Sequence, residues 1–322
     1  MTDPSPIAAS GDEIIPVSVV IPTYGRAEFL EIAIASALGQ RPRPLEVVVV
    51  DDASPTVEPA ERAAAAGARV IRQECNQGPA VARNTGVEAA RGEWIALLDS
   101  DDEWMPGHLA RLWSHRDGAS LVSSPGVGTD DHWMIANPAA ENRDVTDPGA
   151  LVLPSNPIVT SGVLFERAAF VELGGFRGFD TCEDLDLWIR LAERGRVRML
   201  SGPTLLYRQH PSTQLTGDTA KLGSDLLAVI ASHRGAEWWR RRLEHGACTA
   251  ITWDRMRGEV KGHEWTAAIR SALSLLDPVR RLPHLARLLV FRRQTEVRGV
   301  AAAPALMARR RPGATIDMAE DT

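Results

Sequence analysis

The apolar run Trp94-Ile95-Ala96-Leu97-Leu98 ends abruptly in Asp99-Ser100-Asp101-Asp102. Such a run has to be buried, while the acids that follow it have to meet water or a ligand. A sheet meets both demands by delivering the acids to the carboxyl edge of its strands, where α/β proteins bind ligands. A second acidic group, Glu183-Asp184-Leu185-Asp186-Leu187-Trp188, opens a predicted helix further along. Carboxylates brought together repel unless a cation or a proton lies between them. The arrangement therefore points to a metal site, with a separate carboxylate free to act as a base.

The elements around these clusters alternate. Val17–Ile21 is β-branched and stops at Pro22, which predicts a buried strand. Arg26–Gln40 carries helical spacing, Glu46–Val50 is the next strand, Val57–Ala66 a helix and Arg69–Ile71 a short strand. Gly78-Pro79 starts a helix with Pro at its first position, running to about Arg91, and the strand at Trp94 follows. Strand and helix in this order predict a parallel sheet built by right-handed crossovers. Pro125–Pro157 is rich in Pro, Asn, Asp and Gly and is expected to be a long irregular segment. Ile158–Phe165 is expected as a strand, and Glu166–Leu173 as a helix stopped by Gly174-Gly175. Glu183–Arg194 is expected as an amphipathic helix with Leu187, Trp188 and Leu191 inward, a short strand is expected near Val197–Leu200, and Leu205–His210 ends the first domain.

Composition narrows the class. At 322 residues, 44% hydrophobic and 24% charged, the chain is ordinary globular material. No run reaches the length of a spanning helix. The acidic, Pro/Ser-rich start, Met1–Asp12, has no apolar core and is read as a flexible lead rather than a secretory signal. Cys75, Cys182 and Cys248 are too few and too scattered for a disulfide frame or zinc-finger spacing, so a reducing, cytoplasmic setting is expected. Charge is uneven: Met1–Ile230 hold 19 basic and 32 acidic residues, and Ala231–Thr322 hold 17 and 10. Leu282–Arg293 is apolar on one side and basic on the other. It could make a weak peripheral contact with an anionic membrane, but ordinary packing against the catalytic domain is the preferred reading.

Taken in order, six stretches resemble the family 2 glycosyltransferases. They are Val19–Tyr24, Val49–Ser54, Gly78–Gly86, Leu97–Asp102, Leu173–Phe176 and Glu183–Arg190. The resemblance covers roughly Val17–His210, and the tail beyond matches no family signature. It implies an α/β chain of the GT-A fold, Rossmann-like, with a mostly parallel central sheet, flanking helices and a C-terminal helical region. The expected divisions are a lead over 1–14, a catalytic domain over 15–215, a helical region over 216–300 and a flexible tail over 301–322.

The resemblance also implies roles. Pro22, Thr23 and Tyr24 would line the base and ribose of a nucleotide-sugar donor, preferentially a UDP-sugar. Asp52 would accept from the uracil ring N–H, and Arg83 would lie near the base or phosphates. Asp99, Asp101 and Asp102 would form the metal and sugar site, with Asp101 the first choice of ligand to Mn²⁺ or Mg²⁺ and Asp99 on sugar and ribose. His210 would complete the metal shell or touch the diphosphate. Asp184 is the candidate general base of an inverting transfer, with Glu183 the alternate. Each has a competing structural reading: an Asx turn for Asp52, a surface ion pair for Arg83, an acidic helix cap for the Asp99 cluster, a capping box Thr181-x-x-Asp184 and a structural role for His210. Asp186 and Arg190, at i and i+4, are read as a helix-surface pair.

A nucleotidyltransferase of related architecture is the nearest alternative enzyme, but it would need a Gly-rich basic loop where this chain has Pro22-Thr23-Tyr24-Gly25-Arg26. An inactive sugar-nucleotide-binding scaffold is the alternative from another class. No nucleic acid partner is expected. The acceptor, whether saccharide, lipid carrier, peptide or natural product, is not legible, and it should be met by Pro125–Pro157 and the C-terminal helices.

Overall fold

Where the sequence puts unbroken β-branched residues, the chain forms strands buried on both faces. The computed structural model describes residues 13–25, 27–128, 135–136, 141–146, 148–151, 158–208, 225–226, 228–229 and 232–233. β1 (Ile14–Thr23) and β2 (Arg43–Asp51) are joined by α1 (Ala27–Leu38). α2 (Glu58–Ala65) leads to β3 (Arg69–Arg72), and α3 (Pro79–Ala89) leads to β4 (Trp94–Leu97). β5 (Glu103–Trp104), α4 (His108–Ser114) and β6 (Leu121–Ser123) follow. Next come β7 (Gly126–Gly128), β8 (Ile135–Ala136), β9 (Arg143–Val145) and two 3-10 turns, Pro148–Leu151 and Thr160–Gly162. β10 (Val163–Glu166), α5 (Arg167–Glu172), α6 (Glu183–Arg194), β11 (Val197–Met199) and β12 (Leu205–Tyr207) complete the described chain.

The main sheet runs β3-β2-β1-β4-β10-β6-β11-β9, and a smaller one runs β5-β12-β7-β8. β1 is parallel to both β2 and β4, so Thr23, Asp51 and the residues after Leu97 gather at one edge. Val19 and Ile21 face one core cluster with Leu30 and Ile34 of α1, while Val20 faces the other with Ile95 and Leu97. That two-sided burial explains the continuous apolar run. α6 buries Leu187, Trp188 and Leu191 as expected, with Trp188 lying against Phe165 and Phe176.

Several expectations change. Ile158–Phe165 is not one strand: Thr160–Gly162 winds into a 3-10 turn and β10 begins only at Val163. β10 is antiparallel to its neighbours β4 and β6. Pro125–Pro157 carries β7, β8, β9 and a 3-10 turn within its described parts. His210, Leu282–Arg293 and almost all of the chain beyond 208 lie outside the described residues.

Asp186 and Arg190 are a buried pair, not a surface one: they are 0% and 3% exposed. Asp186 accepts from Arg190 Nε at 2.9 Å and lies 3.0 Å from His233 Nε2. Arg190 in turn donates to the carbonyls of Leu173 (3.0 Å) and Gly175 (2.7 Å), fixing the turn after α5. Gly175 has φ +68°, and a Cβ there would meet Asn84 Oδ1 at 2.7 Å. Asn84 of α3 uses that closeness, pairing with both the N–H (2.8 Å) and the carbonyl (2.9 Å) of Phe176. Removing one partner of a buried ion pair strands the other charge, at a cost of about 3–5 kcal/mol. Asp186→Ala is therefore expected to lose stability on that scale in urea unfolding, and a loss below about 1 kcal/mol would show the pair to be solvated.

Candidate active site

Burial of β1, β2 and β4 fixes where their polar successors emerge, and the emerging residues define the site. Pro22 and Thr23 end β1, buried, and Tyr24 beyond them is 49% exposed. The Thr23 hydroxyl is buried with no hydrogen-bond partner among the described residues. Asp52 follows β2 and is 4% exposed. Its two oxygens accept the Gln77 N–H (2.9 Å) and the Gly78 N–H (2.8 Å), tying the end of β2 to the start of α3. The local Asx contact belongs to Asp51 instead, whose Oδ1 accepts the Ser54 N–H at 2.9 Å. Each Asp52 oxygen keeps a second lone pair for an edge donor.

Arg83 projects from α3 and is 5% exposed. One guanidinium nitrogen donates to Asp99 Oδ1 at 2.7 Å and another to Glu183 Oε1 at 2.8 Å. It also lies over the Phe176 ring, 5.6 Å from its centroid. Burial alone would lower the proton affinity of the guanidinium, but Asp99 and Glu183 hold it above its ordinary value. The two acidic clusters read from the sequence are thus brought together through one buried cation. The pairing is neither a surface ion pair nor visible as a motif.

The carboxylates of the first cluster differ in environment. Asp99 and Asp101 are partly exposed, whereas Asp102 is buried. Asp102 accepts from the Ser161 hydroxyl and, at 3.0 Å, from the Arg208 N–H. Burial, with the charges of Asp99 and Asp101 beside it, raises its proton affinity well above that of an ordinary carboxylate. Burial and the same three acids also raise Tyr207. Among the described residues, no three His, Cys, Asp or Glu side chains form a group that would hold a metal ion unaided.

Asp184 lies in the first turn of α6, next to Glu183. Its Oδ1 accepts the Leu185 N–H at 2.6 Å and its Oδ2 accepts the Thr160 hydroxyl at 3.1 Å. The capping box is not formed: among the described residues no side chain caps α6, and Thr181 bonds to Asp225 instead. Burial and the adjacent Glu183 charge raise the Asp184 carboxyl to about 7, against the lowering effect of Arg83. Glu183 is paired with Arg83, and Asp184 is left able to take up a proton near neutrality. Thr160 and Ser161 belong to this site and were missed by sequence reasoning, which placed them inside a strand. The one signal available was two adjacent hydroxyls before Gly162.

The family model for glycosyl transferase family 2 matches residues 18–133. The putative teichuronic acid biosynthesis glycosyltransferase TuaG of Bacillus subtilis (strain 168) is 36% identical over 192 residues, covering 56% of this chain and 73% of TuaG. The chain belongs to glycosyl transferase family 2. The succinoglycan biosynthesis protein ExoO of Rhizobium meliloti (strain 1021) is 46% identical over 110 residues, and the chain spans only 32% of its length. Among solved structures, S. aureus TarS 1-349 in complex with UDP-GlcNAc superposes with a TM-score of 0.60 at 18% identity, over 79% of each chain. The mannosyltransferase PcManGT from Pyrobaculum calidifontis, in complex with GDP-Man and Mn²⁺, gives 0.55 at 20% identity, over 90% of this chain and 84% of the other. These likenesses agree with the GT-A fold, a mostly parallel sheet with flanking helices.

The raised Asp184 carboxyl has a consequence for stability. The folded state holds a proton there that the unfolded chain gives up at about pH 4, so this group makes stability fall as pH rises from about 4 to about 7. Asp184→Asn keeps an oxygen for Thr160 and removes the buried charge. It is expected to be more stable than the wild type above pH 7, on the order of 1 kcal/mol or about 2–4 °C, and no more stable near pH 4. Thermal melts of both proteins across that range check the sign.

Proposed function

We propose that this family 2 enzyme is an inverting glycosyltransferase that moves a sugar from a nucleoside-diphosphate sugar, preferentially a UDP-sugar, to an acceptor. The observation that carries the reading is Asp184, a carboxylate of near-neutral proton affinity held beside a buried Arg83–Asp99–Glu183 bridge. The UDP-GlcNAc complex of TarS and the GDP-Man complex of PcManGT support a nucleotide-sugar donor.

In this reading the donor lies across the carboxyl edge of β1, β2 and β4. Thr23, whose hydroxyl has no partner among the described residues, and Tyr24 meet the base and ribose, and Asp52 accepts from the base edge. Arg83 holds Glu183 and Asp99 in place. Asp184 takes the acceptor proton as the acceptor attacks the anomeric carbon from the face opposite the diphosphate. Buried and already bonded on both oxygens to protein donors, Asp102 serves the site as a brace.

A divalent cation fits the remaining donor set. Hard cations on phosphates are commonly held by one or two carboxylates, with the substrate supplying the other oxygens. Asp101 and Asp99 would hold Mn²⁺ or Mg²⁺, and His210 is proposed beside them. The bound ion supplies charge neutralisation on the departing nucleoside diphosphate. PcManGT with Mn²⁺ supports this assignment. The catalytic domain is assigned to 15–215, and acceptor contacts to 125–157 and the region beyond 215.

Two variants test the roles separately. Asp184→Asn is expected to bind donor and lose transfer by about 10²-fold or more, measured as nucleoside diphosphate released from UDP-GlcNAc, other UDP-sugars or GDP-mannose in the presence of candidate acceptors. Retained turnover per folded molecule would remove Asp184 from the chemistry. Asp101→Ala is expected to abolish Mn²⁺-dependent donor binding in thermal-shift titrations while the fold survives. Full wild-type activity in excess EDTA would refute the metal role.

A further inference from the structure

β10 runs against its neighbours, so the residues that precede it sit at the edge where β4 ends. Those residues are the Thr160–Gly162 turn. Thr160 Oγ1 donates to Asp184 Oδ2 at 3.1 Å. Ser161, the next residue and fully buried, accepts the Asp99 N–H at 3.0 Å and donates to Asp102. Two consecutive hydroxyls therefore reach both acidic clusters.

The turn is pinned on several sides. The Ser161 carbonyl accepts Trp104 Nε1–H at 2.7 Å, the Gly162 carbonyl accepts the Ser124 N–H at 2.8 Å, and the Gly162 N–H donates to Val159 at 2.9 Å. A Cβ at Gly162 would lie 2.3 Å from the Ser124 carbonyl oxygen, a contact no other residue type could make unchanged. A turn held so closely has no room to swing its side chains.

We propose that Thr160 is a positioning residue for Asp184, setting the plane of its carboxylate and its distance from the donor-site acids. The inference rests on the reading of Asp184 as the base. The Leu185 N–H holds one oxygen and Thr160 the other, so the carboxylate plane is fixed. Hydroxyl donation also favours the charged form. Among the described residues, titratable and charged groups facing Asp184 include Glu183 on α6, Cys182 just before it, Arg83 on α3 and Tyr207 on β12.

The test needs no donor in its first arm. The stability difference between the wild type and Asp184→Asn grows with pH from the unfolded carboxylate range and levels off at the titration midpoint of the folded Asp184, and that levelling-off gives the midpoint. In a Thr160→Val background that midpoint is expected to move up by about 0.5–1 pH unit, and in a Thr160→Ser background to return. Thr160→Ala serves if the valine variant does not fold. The second arm follows nucleoside diphosphate release from UDP-GlcNAc, where Thr160→Val should lower kcat and shift the acid limb of the profile upward with KM little changed. An unmoved midpoint in both Thr160→Val and Thr160→Ala overturns the proposal. A midpoint that moves, with no release by the wild type from any nucleotide-sugar, leaves the Thr160–Asp184 coupling standing and refutes the transfer reading.

Discussion

One guanidinium, that of Arg83, lies between carboxylates drawn from two distant parts of the chain: Asp99, 16 residues on, and Glu183, 100 residues on. Three acids, Asp99, Glu183 and Asp184, converge on one buried positive charge. The cation is committed by short bonds to the first two, and the third, buried and next to Glu183, has a raised proton affinity. A buried ion pair contributes little net stability over apolar residues of the same shape, but breaking one is costly. The arrangement therefore acts as a constraint on geometry. It obliges α3, the end of β4 and the start of α6 to meet in one register.

The rest of the domain supports that meeting. Asn84, next to Arg83, clamps Phe176, whose ring lies beneath the guanidinium and against Trp188 of α6. On the far side of the acids the reversed strand β10 returns the chain to the ligand-binding edge, and Ser161 braces Asp99 and Asp102 from there. Asp186 and Arg190 then anchor α6 to the turn after α5. Among the described residues, no helix is long and apolar enough to cross a membrane.

Much of this was legible in the sequence because it depends on periodicity. Val17–Ile21, Glu46–Val50 and Trp94–Leu98 announce buried strands, and the acids after them must emerge at one edge once those strands are parallel. What stayed hidden depends on tertiary partners. Thr160 and Ser161 look like strand residues between apolar neighbours, and only the contacts with Trp104, Asp102 and Asp184 wind them into a turn. An i,i+4 acid–base pair reads the same whether wet or dry, and it is the carbonyls of Leu173 and Gly175 together with His233 that bury Asp186 and Arg190. Nothing in local sequence says that an arginine on α3 will find two carboxylates so far along the chain.

The claim that Arg83 couples the two acidic clusters is tested most directly by a mutant cycle on Asp99→Asn and Glu183→Gln, with urea unfolding as the measure. The two residues interact through Arg83, so the double variant should lose more stability than the sum of the single losses, by about 1 kcal/mol or more, because only then does the guanidinium lose both of the carboxylates it is hydrogen-bonded to. The excess should vanish when the cycle is repeated in an Arg83→Met background. Losses that add to within about 0.5 kcal/mol in the native background would contradict the account.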